Sequence, residues 1–129
     1  MALGGRADAP HLPRPAPIDA YGDGGFRFAR MSHRGSLLCF PDGIWAWPVN
    51  DVAELTEATL STAFERAESL DFFLIGAGRD PWALPEHLRQ RFRELSLSID
   101  VMVTGAAVRT YNILLAENRR VGAGLIAVA

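Results

Sequence analysis

Thr104-Gly105-Ala106-Ala107-Val108-Arg109-Thr110-Tyr111-Asn112-Ile113-Leu114-Leu115-Ala116-Glu117-Asn118, followed by Val121 to Ala127, is the stretch whose reading decides the fold. Val108, Tyr111 and Leu115 recur at three- and four-residue intervals, which stacks their side chains on one face of a helix. Thr104 can open that helix, its hydroxyl accepting from the orphan amides of the first turn. Asn118 can close it by adopting the left-handed conformation. Val121 to Ala127 then reads as a strand in which Gly122 and Gly124 leave one face bare for close packing. A helix that delivers its chain directly into a strand is α/β construction.

Working back from this unit, Ile99 to Val103 is strand-like, and Phe72-Phe73-Leu74-Ile75 is a continuous apolar run suited to a central strand covered on both faces. Two helices are expected in this half. Leu60, Ala63, Phe64 and Ala67 form one apolar face behind a capping Thr56; Leu88, Phe92 and Leu95 form another behind Pro85. Earlier still, Phe26 to Met31 alternates apolar and polar as one half-buried strand does, after the turn residues Tyr21-Gly22-Asp23-Gly24-Gly25. Ser36 to Phe40 and Ile44 to Trp47 are two more short strands, joined by Pro41-Asp42-Gly43. The three leading strands predict an antiparallel meander, and the later alternation predicts parallel pairs, so the sheet should be mixed. Residues 1–17, with Pro10, Pro13, Pro15 and Pro17, read as a disordered Pro-rich tail, leaving 18–129 as a single α/β domain.

Composition narrows the function. The 129 residues are 49% hydrophobic and 22% charged, which is globular, and 13 basic against 15 acidic residues give a net charge of −2. No global field draws such a chain to nucleic acid, and no apolar run is long enough for membrane insertion. Every basic residue is Arg; the absence of Lys removes Schiff-base, phosphate-loop and Ser-Lys chemistry. Cys39 is the only cysteine, so an intrachain disulfide and a cysteine-rich metal site are excluded; within Ser36 to Phe40 it reads as a small buried hydrophobe. His11, His33 and His87 lack paired spacing, so no metal site is expected, and neither is a cofactor. No secretory signal is evident, and a cytoplasmic location is expected.

In an open α/β sheet, ligands gather beyond the carboxyl ends of strands, where loops meet helix N-termini. Two such ends are visible: Gly76-Ala77-Gly78-Arg79-Asp80, and Thr104-Gly105 with Arg109 further along the helix. If the strands are neighbours, Gly76, Gly78, Arg79, Thr104, Arg109 and Asn112 can converge on a small anion or carboxylate. On the competing structural reading, the glycines permit a sharp exit, Arg79-Asp80 is a local ion pair, and Thr110, Asn112 and Glu117 tie the helix to the final strand. No catalytic constellation is assigned: Asp42, Asp80, Asp100 and Glu117 are the candidates for acid/base work, and no two share a predicted helix face inside a pocket.

The helix and turn from Thr104 to Val121 resemble the pattern of the small-domain family that includes the mitochondrial complex I assembly factor three and the vertebrate adipogenesis-associated protein, along with many bacterial members. Tyr21-Gly22-Asp23-Gly24-Gly25-Phe26, Ile44-Trp45-Ala46-Trp47 and Leu74-Ile75-Gly76-Ala77-Gly78 support the resemblance, which covers Ile18 to the end. It implies a three-layer α/β fold around a mixed sheet, no established enzymatic activity, and help in assembling the NADH dehydrogenase through protein contacts. The expected function is therefore a non-enzymatic binding or assembly module with a protein partner. A small-molecule or anion-binding protein or enzyme using the strand-end residues is the alternative, and a structural homo-oligomer a third.

Overall fold

The chain, described over residues 10–129 in a computed structural model, runs β1 (Ile18–Gly22), β2 (Gly25–Phe28), β3 (Met31–Arg34), β4 (Ser36–Phe40), β5 (Gly43–Trp47), α1 (Ser61–Glu65), β6 (Phe72–Gly76), α2 (Glu86–Glu94), β7 (Ser98–Met102), α3 (Thr104–Ala116) and β8 (Val121–Leu125). The final strand occupies the middle of a five-stranded sheet ordered β5-β4-β8-β6-β7. It pairs antiparallel with β4 and parallel with β6, and β6 pairs parallel with β7, so the sheet is mixed as the sequence predicts. Strands β1, β2 and β3 form a separate antiparallel sheet.

Alternation along the strands divides the core in two. Leu38, Phe40, Trp47, Phe73 and Ile75 face α1 and α2, meeting Leu60, Phe64, Leu88 and Phe92. Leu37, Cys39, Leu74, Val121, Ala123 and Leu125 point the other way, onto Ala107, Val108 and Tyr111 of α3 and onto Ile18, Phe26 and Phe28 of the small sheet. Three layers result. The glycines of β8 are bare toward the first layer because aromatic rings occupy that space: a Cβ on Gly124 would stand 2.7 Å from the Trp47 ring, and one on Gly122 would press on Phe73 and Phe40 at 3.0 and 3.1 Å.

The closing turn of α3 follows the expected chemistry. Asn118 takes φ +62°, and the Arg119 and Asn118 amides donate to the Leu114 and Leu115 carbonyls at 3.0 and 2.9 Å, a Schellman arrangement. At the other end, the Thr104 hydroxyl is not a cap. Val103 occupies the cap position without a side-chain bond, and Thr104 Oγ1 instead accepts from the Gly78 amide and donates to the Ile126 carbonyl.

The N-terminal half departs from expectation in three places. Ile18–Gly22 is a strand that the sequence reading missed, and Phe26 to Met31 is two strands broken at Ala29 and Arg30. Those two residues hold φ +50° and +64°, a two-residue hairpin turn built without the glycine or asparagine that usually announces one. The leading strands therefore do not form one meander. Gly35, at φ +99°, lets the chain leave the small sheet, and β4 and β5 join the large one. The first helix is also shorter than its apolar face suggested, because after Arg66 the chain tightens into a 3-10 turn at Ala67–Ser69; the four apolar positions are nonetheless buried.

Of the expected tail, residues 1–9 lie outside the described residues. Over 10–17 the chain is extended but anchored: the His11 amide donates to the Ile44 carbonyl at 2.8 Å, Ile44 returns a bond to Leu12, and Ala16 is buried. Proline-set chain can be pinned in this way through its remaining amides and carbonyls.

Candidate functional site

The strand-end residues are brought together, but mostly to one another. Gly76 lies where β6 meets the start of α3, and a Cβ there would stand 3.1 Å from Thr104 Cα and 3.2 Å from Ala107 Cβ; glycine is needed for this close approach. Its carbonyl accepts from the Ile126 amide at 2.9 Å. Gly78, at φ +99°, exchanges two bonds with Thr104: its amide donates to Oγ1 and its carbonyl accepts from the Thr104 amide, both at 2.9 Å. Thr104 is wholly buried, and its single hydroxyl proton goes to Ile126 at 2.7 Å. One threonine thus ties the ends of β6 and β8 to the head of α3.

Arg79 is exposed and donates to the Ala129 main-chain oxygen at 2.9 Å, not to Asp80. A cleft of about 280 Å³ opens beside it, lined by Gly78, Asp80, Trp82, Asp51 and Val128 among others. Arg109 is exposed on α3 and does not line this cleft. Asn112 is elsewhere again. Its Oδ1 accepts from the Ile18 amide at 2.8 Å and its Nδ2 donates to the Ile18 carbonyl at 2.9 Å, a two-bond clamp on β1. The expectation that Asn112 ties the helix to the final strand is not what is seen: its bonds go to β1, a strand the sequence did not announce.

Behind Asn112, Tyr111 is fully buried, with its hydroxyl donating to the Ala16 carbonyl at 3.3 Å. Burial, together with the neighbouring Cys39, raises its pKa. Cys39 is likewise buried, and desolvation pushes its thiol up to about 12, so it is protonated at neutral pH. Both groups are packed as core. Among the described residues, no cluster of three or more metal-ligating side chains forms. Glu117 pairs with Arg119 at 4.0 Å, and Asp42 takes a two-point bond from Arg66, whose guanidinium also lies 4.8 Å from the Trp45 ring centroid.

A family profile described as "Protein of unknown function (DUF498/DUF598)" matches residues 18–126. The chain belongs to this family. An uncharacterized protein of Rhodobacter capsulatus is 39% identical over 85% of this chain and 83% of its own length. The NADH dehydrogenase [ubiquinone] 1 alpha subcomplex assembly factor 3 of Drosophila melanogaster is 30% identical over 84% of this chain, which spans 57% of that longer protein. Among solved structures, one described as an outer membrane protein from Bartonella henselae superposes with a TM-score of 0.88 at 50% identity, covering 92% of this chain and all of the other. The assembly-factor resemblance read from Thr104 to Val121 is thereby shown, and so is the three-layer fold. No helix among the described residues is long and apolar enough to cross a membrane.

The sequence reading did not single out Arg27 and Arg34. Their signal was present, since Arg27 sits between Phe26 and Phe28 at the outward position of an alternating strand.

Proposed function

We propose that this DUF498/DUF598 chain is a non-catalytic binding module that holds a protein partner during assembly of a respiratory complex. The observation that carries the reading is the 30% identity to an assembly factor over 84% of the chain. The geometry supports it: the polar groups at the sheet end are spent on the fold, with Thr104 bonded in both directions and Asn112 closed on Ile18. An anion site at Gly78 and Arg79 is the competing reading. Asp51 and Asp80 line the same cleft and oppose an anion there.

Removal of the gene from its host, followed by native-gel analysis of the NADH dehydrogenase, tests the proposal. We expect less mature complex and more subassembly, restored by the wild-type chain; unchanged amounts of mature complex would overturn the reading. The same reading places the protein in the cytoplasm, whereas the Bartonella relative is described as an outer membrane protein. Cell fractionation with an antibody decides between the two.

A further inference from the structure

Arg66, Arg91, Arg93 and Arg120, on or beside the large sheet and its helices, each meet a carboxylate within 3.4 Å. Among the described residues Arg30, Arg79, Arg89 and Arg109 do not, but they stand singly on separate elements, whereas two unpaired arginines share one sheet. On the small sheet, Arg27 and Arg34 have no carboxylate within 4.0 Å among the described residues, and Arg27 is bonded only to Ser32 Oγ at 3.2 Å.

The register places both on one face. Ala20, Arg27 and Ser32 form one cross-strand row, and Gly22, Gly25 and Arg34 form the next. Phe26 and Phe28 point to the opposite face, into the core. Ala20, Gly22 and Ser32 are small, and Gly25 is buried beside the His33 carbonyl, so the two guanidinium groups stand over small residues beside a trough of about 410 Å³. Tyr21, paired with Phe26, borders the trough from the other face of the sheet. Its hydroxyl lies where a Cβ on Gly105 would be, so the ring is lodged against the head of α3.

We infer that this trough is the docking surface for an extended, acidic segment of a protein partner. Arg27 and Arg34 are diagonal neighbours on adjacent strands, roughly 7–8 Å apart. Side chains at i and i+2 of an extended peptide are spaced by two rises of about 3.3 Å, close to that distance. An Asp or Glu at i and another at i+2 can therefore each meet one guanidinium, whose planar fork matches a carboxylate. The small floor lets a peptide backbone approach. A nucleic-acid strand fits less well: the net charge is −2, and Tyr21 is the only exposed Phe, Tyr or Trp among the described residues.

This inference rests on the partner-holding reading and supplies the partner's chemistry. Its test is fluorescence anisotropy with a labelled peptide of alternating Glu and Ser, measured on the wild-type chain and on the R27S/R34S variant. Both side chains are exposed, so the variant should keep its circular dichroism and melting temperature. We expect saturable binding that weakens with added salt and falls by about tenfold or more in the variant, as befits loss of two charge-assisted pairs. Absence of binding, equal binding by the variant, or tighter binding of a single-stranded oligonucleotide would each overturn the inference. Cross-linking in the host separates the two levels. If the wild type captures assembly intermediates and R27S/R34S captures them equally, the trough is wrong and the assembly reading stands. If the wild type captures none, the assembly reading itself fails.

Discussion

The two faces of the central sheet are held by different physics. Toward α1 and α2 the contacts are rings: Phe73 stacks on Phe40 at 6.1 Å and on Phe92 at 6.0 Å, Phe64 meets Phe92 edge-on at 5.0 Å, and β8 presents only glycine beneath them. Toward α3 and the small sheet the packing is mixed, with Phe26, Phe28 and Tyr111 among aliphatic side chains and no ring pair between them, and orientation is fixed by polar struts, Tyr111 to Ala16 and Asn112 to Ile18. Ring packing buries much area and tolerates several offset and edge-on arrangements, whereas a buried hydrogen bond adds little net energy and ties two named groups together. The first face supplies stability. The second decides where the small sheet, and with it the arginine trough, sits.

The sharpest way to break this contrast is to truncate one ring. Phe73→Ala should destabilise by about 3–5 kcal/mol, seen as a lower urea midpoint with unchanged slope. A loss near that size in Asn112→Ala would contradict the contrast. For Asn112→Ala we expect about 1–3 kcal/mol, from the two Ile18 groups left without their partner. Hydrogen exchange should show β1 and β2 losing protection while β6 and β8 keep theirs.

A smaller effect comes from pH. Burial and the neighbouring His11 lower the His33 pKa from its ordinary value, so the unfolded chain binds a proton more readily than the folded one. Stability should be undiminished above about pH 6.5, fall as the pH drops through that value, and level off below the folded pKa. His33→Gln should flatten the profile in urea titrations between neutral and mildly acidic pH. The mildest change is Arg30→Gly. At φ +64° a side chain is unfavourable, and glycine should raise stability by about 1 kcal/mol in thermal melts if the small sheet is an integral layer.

The large sheet and its helices were legible because each segment carries one dominant signal. Phe72 to Ile75 is continuously apolar, the stripe Val108, Tyr111 and Leu115 has helical spacing, and Asn118 supplies a left-handed cap. The small sheet was harder to read. Ile18–Gly22 buries only its first residue, so it lacks alternation, and Ala29-Arg30 turns the chain with residues that rarely take positive φ. Sequence also placed Gly76, Gly78 and Thr104 at one end of the sheet, which holds. It could not show that they would bond to each other, because hydrogen-bond allocation depends on side-chain directions that spacing leaves open. Arg27 and Arg34 became visible as a pair only when the register put Gly25 opposite Arg34.

The Asn112 clamp spans 94 residues of sequence. Closing so long a loop is entropically costly, and such contacts form late. During synthesis β1, β2 and β3 leave the ribosome before α3, which carries their anchor. Until then the small sheet must wait with Phe26 and Phe28 uncovered, which makes the nascent N-terminal third the stage most exposed to aggregation and to chaperones.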